Sequence, residues 1–128
     1  MPFELFINGG TFDVHSLDEL RLQLRKVNQT QFSELELCTP DGWPVLHVLV
    51  NGETAWLMFL RYEGDAGFST RNPDYAGSEK DVIEFYLSNG QRDEYPASWN
   101  ITTIEALRAL EYFFTDSKRA LWLAWHEG

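Results

Sequence analysis

The fold is decided by residues 44–62, PVLHVLVNGETAWLMFLRY, which form two apolar segments separated by the pair Asn51-Gly52. An Asn-Gly pair between two such segments is the strongest short signal for a β-hairpin, since both residues accept the positive φ angles of a type I′ turn. Each segment is apolar almost without interruption, which is typical of a strand covered on both faces. We therefore expect the two strands to lie at the centre of a sheet.

The residues before this hairpin predict a strand and a helix. Residues 3–8, FELFIN, have the composition of a strand, and Gly9-Gly10 predicts the turn that ends it. Ser16 and Glu19 have the spacing of a capping box, and apolar residues recur at helical intervals after them. A first helix is therefore expected over about residues 16–28.

A further strand is expected at residues 32–38, FSELELC, where apolar and acidic residues alternate. Successive side chains of a strand point to opposite faces of the sheet. Leu35 and Leu37 should therefore face the core, while Glu34 and Glu36 face water.

The residues after the central hairpin predict a loop and a second hairpin. The loop covers residues 63–80 and contains one short strand at 67–70. Residues 81–99 have two segments of strand composition that turn at Asn89-Gly90. Pro96 cannot donate a ladder hydrogen bond, which places the latter strand at an edge or near its end.

Thr102 and Glu105 repeat the capping-box spacing and predict a second helix over about residues 102–115. The residues expected on its inner face are Ile104, Leu107, Leu110 and Phe114. The closing LWLAW, residues 121–125, predicts a final strand. With no repeat or linker, the sequence indicates a single α+β domain over residues 1–128, with two helices and a mostly antiparallel sheet of about six to eight strands.

Composition and charge exclude several classes of protein. The 128 residues are 44% hydrophobic, as in a packed globular domain, and no apolar run approaches the roughly 18 residues of a membrane span. There is no signal-peptide pattern, and the single cysteine, Cys38, cannot form an internal disulfide, so we expect a soluble cytoplasmic protein. The formal net charge of −10 disfavours direct binding to nucleic acid.

The acidic residues are concentrated between residues 63 and 94. This segment has eight acidic and three basic residues, a local net charge of −5. Such a surface would steer a basic protein partner toward it. The simpler alternative is an acidic surface that keeps the protein soluble, and charge does not decide between them.

No motif for catalysis or metal binding occurs. The three histidines, His15, His47 and His126, lie in separate predicted elements with neither HExxH spacing nor a cysteine pair, which disfavours a zinc site. No GxSxG or SxxK spacing indicates a serine nucleophile, and Cys38 is expected to be structural. We therefore predict no catalytic residue, no metal site and no cofactor.

The stretch YEGDAGFST, residues 62–70, is the main candidate for a functional loop. It lacks the lysine and following helix of a phosphate cradle, and it lacks the oxygen spacing of a calcium loop. Acidic residues beside glycines are more often solvated turn residues than catalytic groups. We interpret Gly64 and Gly67 as supplying unusual backbone angles at a bend, and Asp65 as a candidate for partner contact rather than for chemistry.

The aromatic residues divide into two sets. Those expected mostly in the core are Trp56, Phe59, Phe85, Tyr86, Tyr112, Phe113, Phe114, Trp122 and Trp125. The others lie at loop borders among acids, where they resemble the anchor residues of protein interfaces: Tyr62, Phe68, Tyr75, Tyr95 and Trp99.

Several short motifs, taken in order, resemble a known family. The stretches GDAGFSTRNP, EFYLSNG and EYPASWNITTIEALRALEYFF, followed by LAW, are similar to the immunity proteins that bacteria encode beside polymorphic toxins. The particular family is the one often paired with nucleic-acid deaminase toxins, and the likeness spans roughly residues 15–127. The connection at 116–120 departs from the family, whose members commonly have a glycine and an Arg-Pro pair there.

The resemblance implies a protein that binds a cognate toxin, a basic nucleic-acid deaminase, and occludes its substrate groove and active site. It does not identify the contact residues; the clustered acids and bordering aromatic residues give these candidates for partner contact: Glu63, Asp65, Phe68, Asp74, Tyr75, Glu79, Asp81 and Glu84. Two alternatives stay open, a small enzyme with an unrecognised carboxylate or histidine site and a general protein-interaction module.

Overall fold

The structure is built on one antiparallel sheet with a smaller hairpin packed against it. The computed structural model describes all 128 residues. The strands are β1 (Phe3–Ile7), β2 (Gly10–Val14), β3 (Phe32–Cys38), β4 (Val45–Asn51), β5 (Thr54–Leu60), β6 (Phe68–Arg71), β7 (Val82–Tyr86), β8 (Arg92–Pro96), β9 (Ile101–Thr102) and β10 (Ala124–Glu127). The helices are α1 (Leu17–Leu24) and α2 (Thr103–Asp116), with 3₁₀ turns at Arg25–Gln29 and Ala97–Trp99. The fold class expected from the sequence is confirmed.

The strands β4 and β5 lie at the centre of the sheet, as the sequence predicts. The main sheet has the order β10-β6-β5-β4-β3-β1-β2, with the short β9 also paired to β5. One face of the central pair is covered by α1 and α2 over a core of 20 buried residues. The other face is covered by the hairpin β7–β8, where Phe85 packs with Leu49 and Trp56. The uninterrupted apolar composition of the two strands follows from this cover on both faces.

The N-terminal segment forms a hairpin that the sequence reasoning missed. Asn8 and Gly9 both have positive φ, 48° and 89°, and make the turn, so Gly10 is already the first residue of β2. The predicted turn at Gly9-Gly10 was therefore one residue late, and strand β2 was overlooked. The tight Asn-Gly turn returns the chain at once, pairing Ile7 with Gly10.

Both helices begin at the predicted caps. The Ser16 hydroxyl accepts a hydrogen bond from the Glu19 backbone N–H at 3.2 Å, and the Thr102 hydroxyl accepts one from the Glu105 backbone N–H at 3.1 Å. These bonds satisfy N–H groups that have no partner in the first turn of a helix. The final strand begins at Ala124, three residues later than the sequence predicts.

The buried face of α2 agrees with the predicted one only in part: Leu110 is buried and Leu107 and Phe114 pack against the core, as expected, but Ile104 does not. Its fully buried apolar residues are Ala106, Ala109, Leu110 and Phe113, whereas Ile104 is 65% exposed. The reason lies at the start of the helix, where the Thr103 backbone N–H donates to Glu53 O at 2.9 Å. The Thr103 hydroxyl also donates to Gly52 O at 2.8 Å. These bonds to the central turn fix the rotation of α2 and place its small alanines inside.

Glu34 does not face water, contrary to the expectation for β3. Its carboxylate accepts hydrogen bonds from the backbone N–H and the hydroxyl of Ser88, at 2.9 and 2.8 Å, and lies 3.1 Å from His47 Nε2. Burial by itself would raise the pKa of Glu34, but the hydrogen bonds from Ser88 and the contact with His47 outweigh it and the pKa is lowered. Glu34 thus fastens the tip of the covering hairpin to the sheet.

Truncation of two α2 residues tests the observed rotation of this helix. Phe113→Ala should lower the free energy of unfolding by about 3–5 kcal/mol, because it leaves a cavity in the core, while Ile104→Ala should change it by no more than about 0.5 kcal/mol. Denaturant unfolding of both variants measures the difference. Equal losses at the two positions would contradict the observed face of α2.

Candidate functional site

The bend after β5 is held by an ion pair between Arg61 and Asp65. The Asp65 carboxylate accepts from the Arg61 backbone N–H at 2.9 Å and from two guanidinium nitrogens at 2.8 Å each. Its side chain is only 2% exposed. The hydrogen bond from the Arg61 side chain is the main cause that lowers the pKa of Asp65. Asp65 is therefore a structural residue of the bend, and the interpretation of a solvated turn residue was wrong.

The two glycines of the bend have the backbone angles that the sequence predicts. Gly64 and Gly67 have φ values of 80° and 74°. A Cβ atom on Gly67 would also lie 2.8 Å from the Phe59 carbonyl oxygen, closer than real Cβ atoms approach. The interpretation of a glycine-shaped bend is confirmed, since a side chain at Gly67 would meet both strain and a backbone clash.

Phe68 lies on the helix side of the sheet and is enclosed by arginines. Its ring packs against the main core and lies 3.6 Å from the Arg119 guanidinium and 4.9 Å from that of Arg61. This places Phe68 in a different layer from the hairpin β7–β8. The structure therefore does not bring all eight candidate contact residues onto one surface.

The loop between β6 and β7 is ordered by its own polar side chains. The Tyr75 hydroxyl donates to the Asp81 carboxylate, which also accepts the Ser78 backbone N–H at 3.0 Å. The same hydrogen bond is the main cause that raises the pKa of Tyr75. Asp81 is thus tied to the loop, and its charge is partly used within the protein.

The outer face of the hairpin β7–β8 has a charge-compensated centre. Arg92 Nε donates to Glu84 at 2.7 Å, and the same guanidinium forms a salt bridge with Glu94. An exposed network of this kind contributes little to stability, but it orients the two carboxylates. Val82 and Tyr86 flank this network and are 55% and 38% exposed.

Three candidate acids have carboxylates without a partner inside the protein. Glu63, Asp74 and Glu79 are exposed, and none of them forms a salt bridge or a side-chain hydrogen bond. Their charges are therefore fully available to an external cation. Of the eight candidates, these three have the geometry expected of an electrostatic contact.

The structure corrects the division of the aromatic residues. The ring of Tyr95 stacks on that of the buried Trp56, with centroids 4.2 Å apart, and the Arg71 guanidinium lies 3.9 Å from the ring of Trp99. Tyr95 and Trp99 therefore pack against the apolar cluster beneath the hairpin β7–β8 and are not free to act as anchor residues. Trp122, which was expected in the core, is 51% exposed. Tyr86 is likewise exposed, on the outer face of its hairpin.

A cleft of about 430 Å³ opens where the edge of the central sheet divides. Strand β5 pairs with β6 at Met58 and Phe59 but with β9 at Thr54 and Ala55, so the two neighbouring strands diverge. The Thr70 hydroxyl bridges the gap, accepting from Leu57 N at 3.2 Å and donating to Trp99 O at 3.0 Å. The cleft is lined by Thr54, Arg71, Asn72, Pro73, Asp74, Tyr75, Ile83, Ala97, Asn100, Ile101, Thr102, Glu105, Trp122, Leu123 and Ala124.

Sequence reasoning identified only Asp74 and Tyr75 among the cleft residues as candidates. The lining comes from several separate segments of the chain, and their convergence depends on the divergence of β6 and β9. Among the cleft residues that were missed, only Trp122 had a signal in the local sequence, because it is aromatic and lies between an exposed leucine and a short strand. The surrounding stretch, however, has the composition of a buried strand.

The remaining reactive side chains are placed as follows. Burial raises the pKa of Cys38 to about 12, and the neighbouring carboxylates of Glu36 and Glu4 contribute, so the thiol is protonated at neutral pH. No group of three or more His, Cys, Asp or Glu side chains is positioned to hold a metal ion. Neither helix has the length and apolar composition needed to cross a membrane.

The fold and the surface define a small acidic α+β protein with exposed, unpaired carboxylates beside a divided sheet edge. Over residues 8–127 the chain matches the family described as Immunity protein Imm1, and it belongs to that family. No curated protein sequence matches the chain. The resemblance inferred from the short motifs is therefore confirmed at the level of the family.

Neutralisation of Asp65 should make the bend less stable in a pH-dependent way. Asp65→Asn removes a carboxylate whose pKa is lowered by folding, so the variant should unfold at lower denaturant concentration than the wild type at pH 7. The stabilisation from Asp65 is fully present above the unfolded-state pKa of about 4 and is lost gradually as the pH falls from there toward the lower pKa of the folded state, so the difference between the two proteins should begin to narrow near pH 3. Denaturant unfolding at several pH values between 7 and 3 measures this.

Glu63→Gln is the matched control, because Glu63 is two residues away and has no partner. It should show no comparable difference at any of these pH values. A constant difference between wild type and Asp65→Asn across the whole range would contradict the assigned ion pair.

Proposed function

We propose that the protein binds and neutralises a cognate toxin and that this toxin is a nucleic-acid deaminase. Membership of the immunity family supports the first part of the proposal. The second part rests on the deaminase toxins with which the family that the motifs resemble is often paired. In this proposal the protein acts in the cytoplasm as a stoichiometric inhibitor and not as an enzyme.

The electrostatics of the chain suit such a partner. An enzyme that acts on DNA or RNA presents a basic groove to the phosphates, and a protein of net charge −10 is attracted to the same groove. Opposite potentials mainly raise the rate of association and the specificity of the complex. Binding in the groove would exclude the nucleic acid, so inhibition would not require any chemistry.

The proposed contact surface consists of the loop between β6 and β7, the outer face of the hairpin β7–β8, and Glu63. The free carboxylates of Glu63, Asp74 and Glu79 supply most of its unpaired charge. Tyr75, Asp81 and Glu84 supply oriented polar groups, since each already has a partner within the protein. Asp65 holds the bend that carries Glu63, whereas Phe68 lies on the helix side of the sheet and outside this surface.

Reversal of the three free carboxylates tests the contact surface. The triple variant Glu63→Lys, Asp74→Lys, Glu79→Lys should associate with the neighbouring toxin domain at least about tenfold more slowly than the wild type, since it replaces attraction by repulsion. Its association rate should also fall less steeply with rising salt concentration than that of the wild type. Surface plasmon resonance over a range of NaCl concentrations measures both quantities.

A second triple variant provides a control of equal net charge. Asp18, Asp41 and Asp116 are exposed and have no side-chain partner, and they lie outside the proposed contact surface. Their reversal to lysine should slow association much less. Equal slowing by both triple variants would mean that overall charge, and not this surface, guides the partner.

Coexpression tests the function itself. The wild-type protein should restore the growth of cells that express the toxin domain encoded beside its gene, and the two should copurify. Deaminase activity of that domain on single-stranded and double-stranded DNA and on RNA should disappear at a one-to-one ratio. A neighbouring toxin without deaminase activity would overturn the second part of the proposal and leave the first standing.

A further inference from the structure

Arg71, the last residue of β6, lines the cleft with a guanidinium that the protein uses only in part. Its Nη1 donates to Ser69 Oγ at 2.9 Å and to Thr70 O at 2.8 Å, and the group lies 3.9 Å from the ring of Trp99. The other two nitrogens, Nε and Nη2, have no hydrogen-bond partner within the protein. Neither of them is among the buried polar atoms that lack a partner, so both can be reached from outside.

No carboxylate of the protein compensates the charge of Arg71, which is half-buried. Asp74 and Glu105 line the same cleft, but neither forms a salt bridge with it. Burial lowers the pKa of Arg71, and no acidic side chain acts in the opposite direction. A partly desolvated cation without a counter-ion is unfavourable, so an anionic group from outside would be stabilised at this position.

Two other arginines of the chain show which group fits the free nitrogens of Arg71. Arg61 Nε and Nη2 donate side by side to the Asp65 carboxylate, at 2.8 Å each. The same two nitrogens of Arg21 donate to Glu111 at 3.0 and 2.9 Å. This planar pair of donors matches the geometry of a carboxylate or a phosphate. The net charge of −10 disfavours a nucleic-acid phosphate, which leaves the carboxylate of a protein partner.

The cleft gives such a carboxylate a place to bind. Its volume of about 430 Å³ lies within the range of roughly 300–1,000 Å³ that is typical of ligand pockets. Trp122, which is 51% exposed, forms part of its wall, and tryptophan is among the residues that contribute most to binding at protein interfaces. Asp74 and Tyr75 belong both to the cleft and to the proposed contact surface, so a partner bound there lies beside the cleft.

We propose that the cleft receives a loop of the toxin and that an aspartate or glutamate carboxylate on this loop pairs with Nε and Nη2 of Arg71. The inference rests on the proposed function, because the partner is the toxin. Since the free carboxylate of Asp74 lines the same cleft, we expect a basic residue beside the acidic one on the loop. A loop with basic residues alone would be repelled by Arg71, so the cleft adds specificity to the attraction by the acidic surface.

The variant Arg71→Gln tests the pairing, because overall charge predicts the opposite result. The substitution removes one positive charge from an acidic protein, which should slightly strengthen the long-range attraction of a basic toxin. If Arg71 pairs with a toxin carboxylate, the affinity for the toxin domain should instead fall at least about tenfold, since that carboxylate would be buried without its partner. Titration calorimetry with the toxin domain encoded beside the gene measures the affinity.

Arg25→Gln is the matched control, since it changes the net charge by the same amount. Arg25 is exposed in the 3₁₀ turn after α1 and does not line the cleft. This variant should bind the toxin domain at least as tightly as the wild type. If Arg71→Gln also keeps the wild-type affinity, or if both variants weaken binding equally, the inference is overturned while the proposed function stands.

Substitutions on the toxin separate pairing from a structural effect of Arg71→Gln. One Asp→Asn or Glu→Gln change in the toxin domain should weaken binding to the wild-type protein by a similar factor. The same change should have little further effect on binding to Arg71→Gln, because the pair is already lost. If every acidic substitution that weakens binding does so equally for both proteins, no toxin carboxylate pairs with Arg71 and the inference is wrong.

Arg71→Lys decides the matter if Arg71→Gln does not fold. Lysine keeps the charge and an apolar stem but cannot donate two parallel N–H bonds, so binding should weaken several-fold. Wild-type affinity of this variant would overturn the inference. Binding of labelled single-stranded DNA or RNA to the free protein, lost in the same variant, would assign Arg71 to nucleic acid and also overturn it. Failure of the wild-type protein to bind the toxin domain would overturn the proposed function and the inference with it.

Discussion

The rest of the structure depends on the need to cover both faces of the central hairpin. Strands β4 and β5 present buried side chains in both directions, including Leu57 on the helix side and Trp56 on the other. A sheet with such strands cannot have a solvated face, so the chain must supply two covering layers. The helices provide one and the hairpin β7–β8 provides the other. The position of the proposed contact residue Glu84 on the hairpin β7–β8 follows from this arrangement.

The parts of the fold that the sequence predicts well are those with local signals. The central hairpin and the hairpin β7–β8 were found from Asn-Gly turns, and both helices were found from capping boxes whose bonds the structure shows. In each case a few neighbouring residues determine the backbone geometry. The turn at Asn8-Gly9 has the same signal. It was missed because the second glycine, Gly10, led to a predicted turn one residue too late.

The parts that sequence reasoning missed depend on contacts between distant residues. The rotation of α2 is fixed by bonds from Thr103 to Gly52 and Glu53, which no helical periodicity contains. Ser88, which donates two hydrogen bonds to Glu34, lies at the hairpin tip 54 residues away. The cleft forms only because β6 and β9 pair with different parts of the same edge of β5 and diverge from each other. The local sequence pattern identifies the helices and strands, while the surfaces between them arise from tertiary packing.

The hairpin β7–β8 connects the fold to the proposed function, because its two faces have different roles. Its inward side chains, Ile83, Phe85 and Tyr95, pack on the central strands, while its outward ones, including Glu84, lie toward solvent. Among the outward ones, Tyr86 also contacts Phe32 of β3. Successive side chains of a strand point to opposite faces, so the outer set can change without disturbing the inner set. A toxin-specific surface could therefore vary on this layer while the sheet beneath keeps its packing.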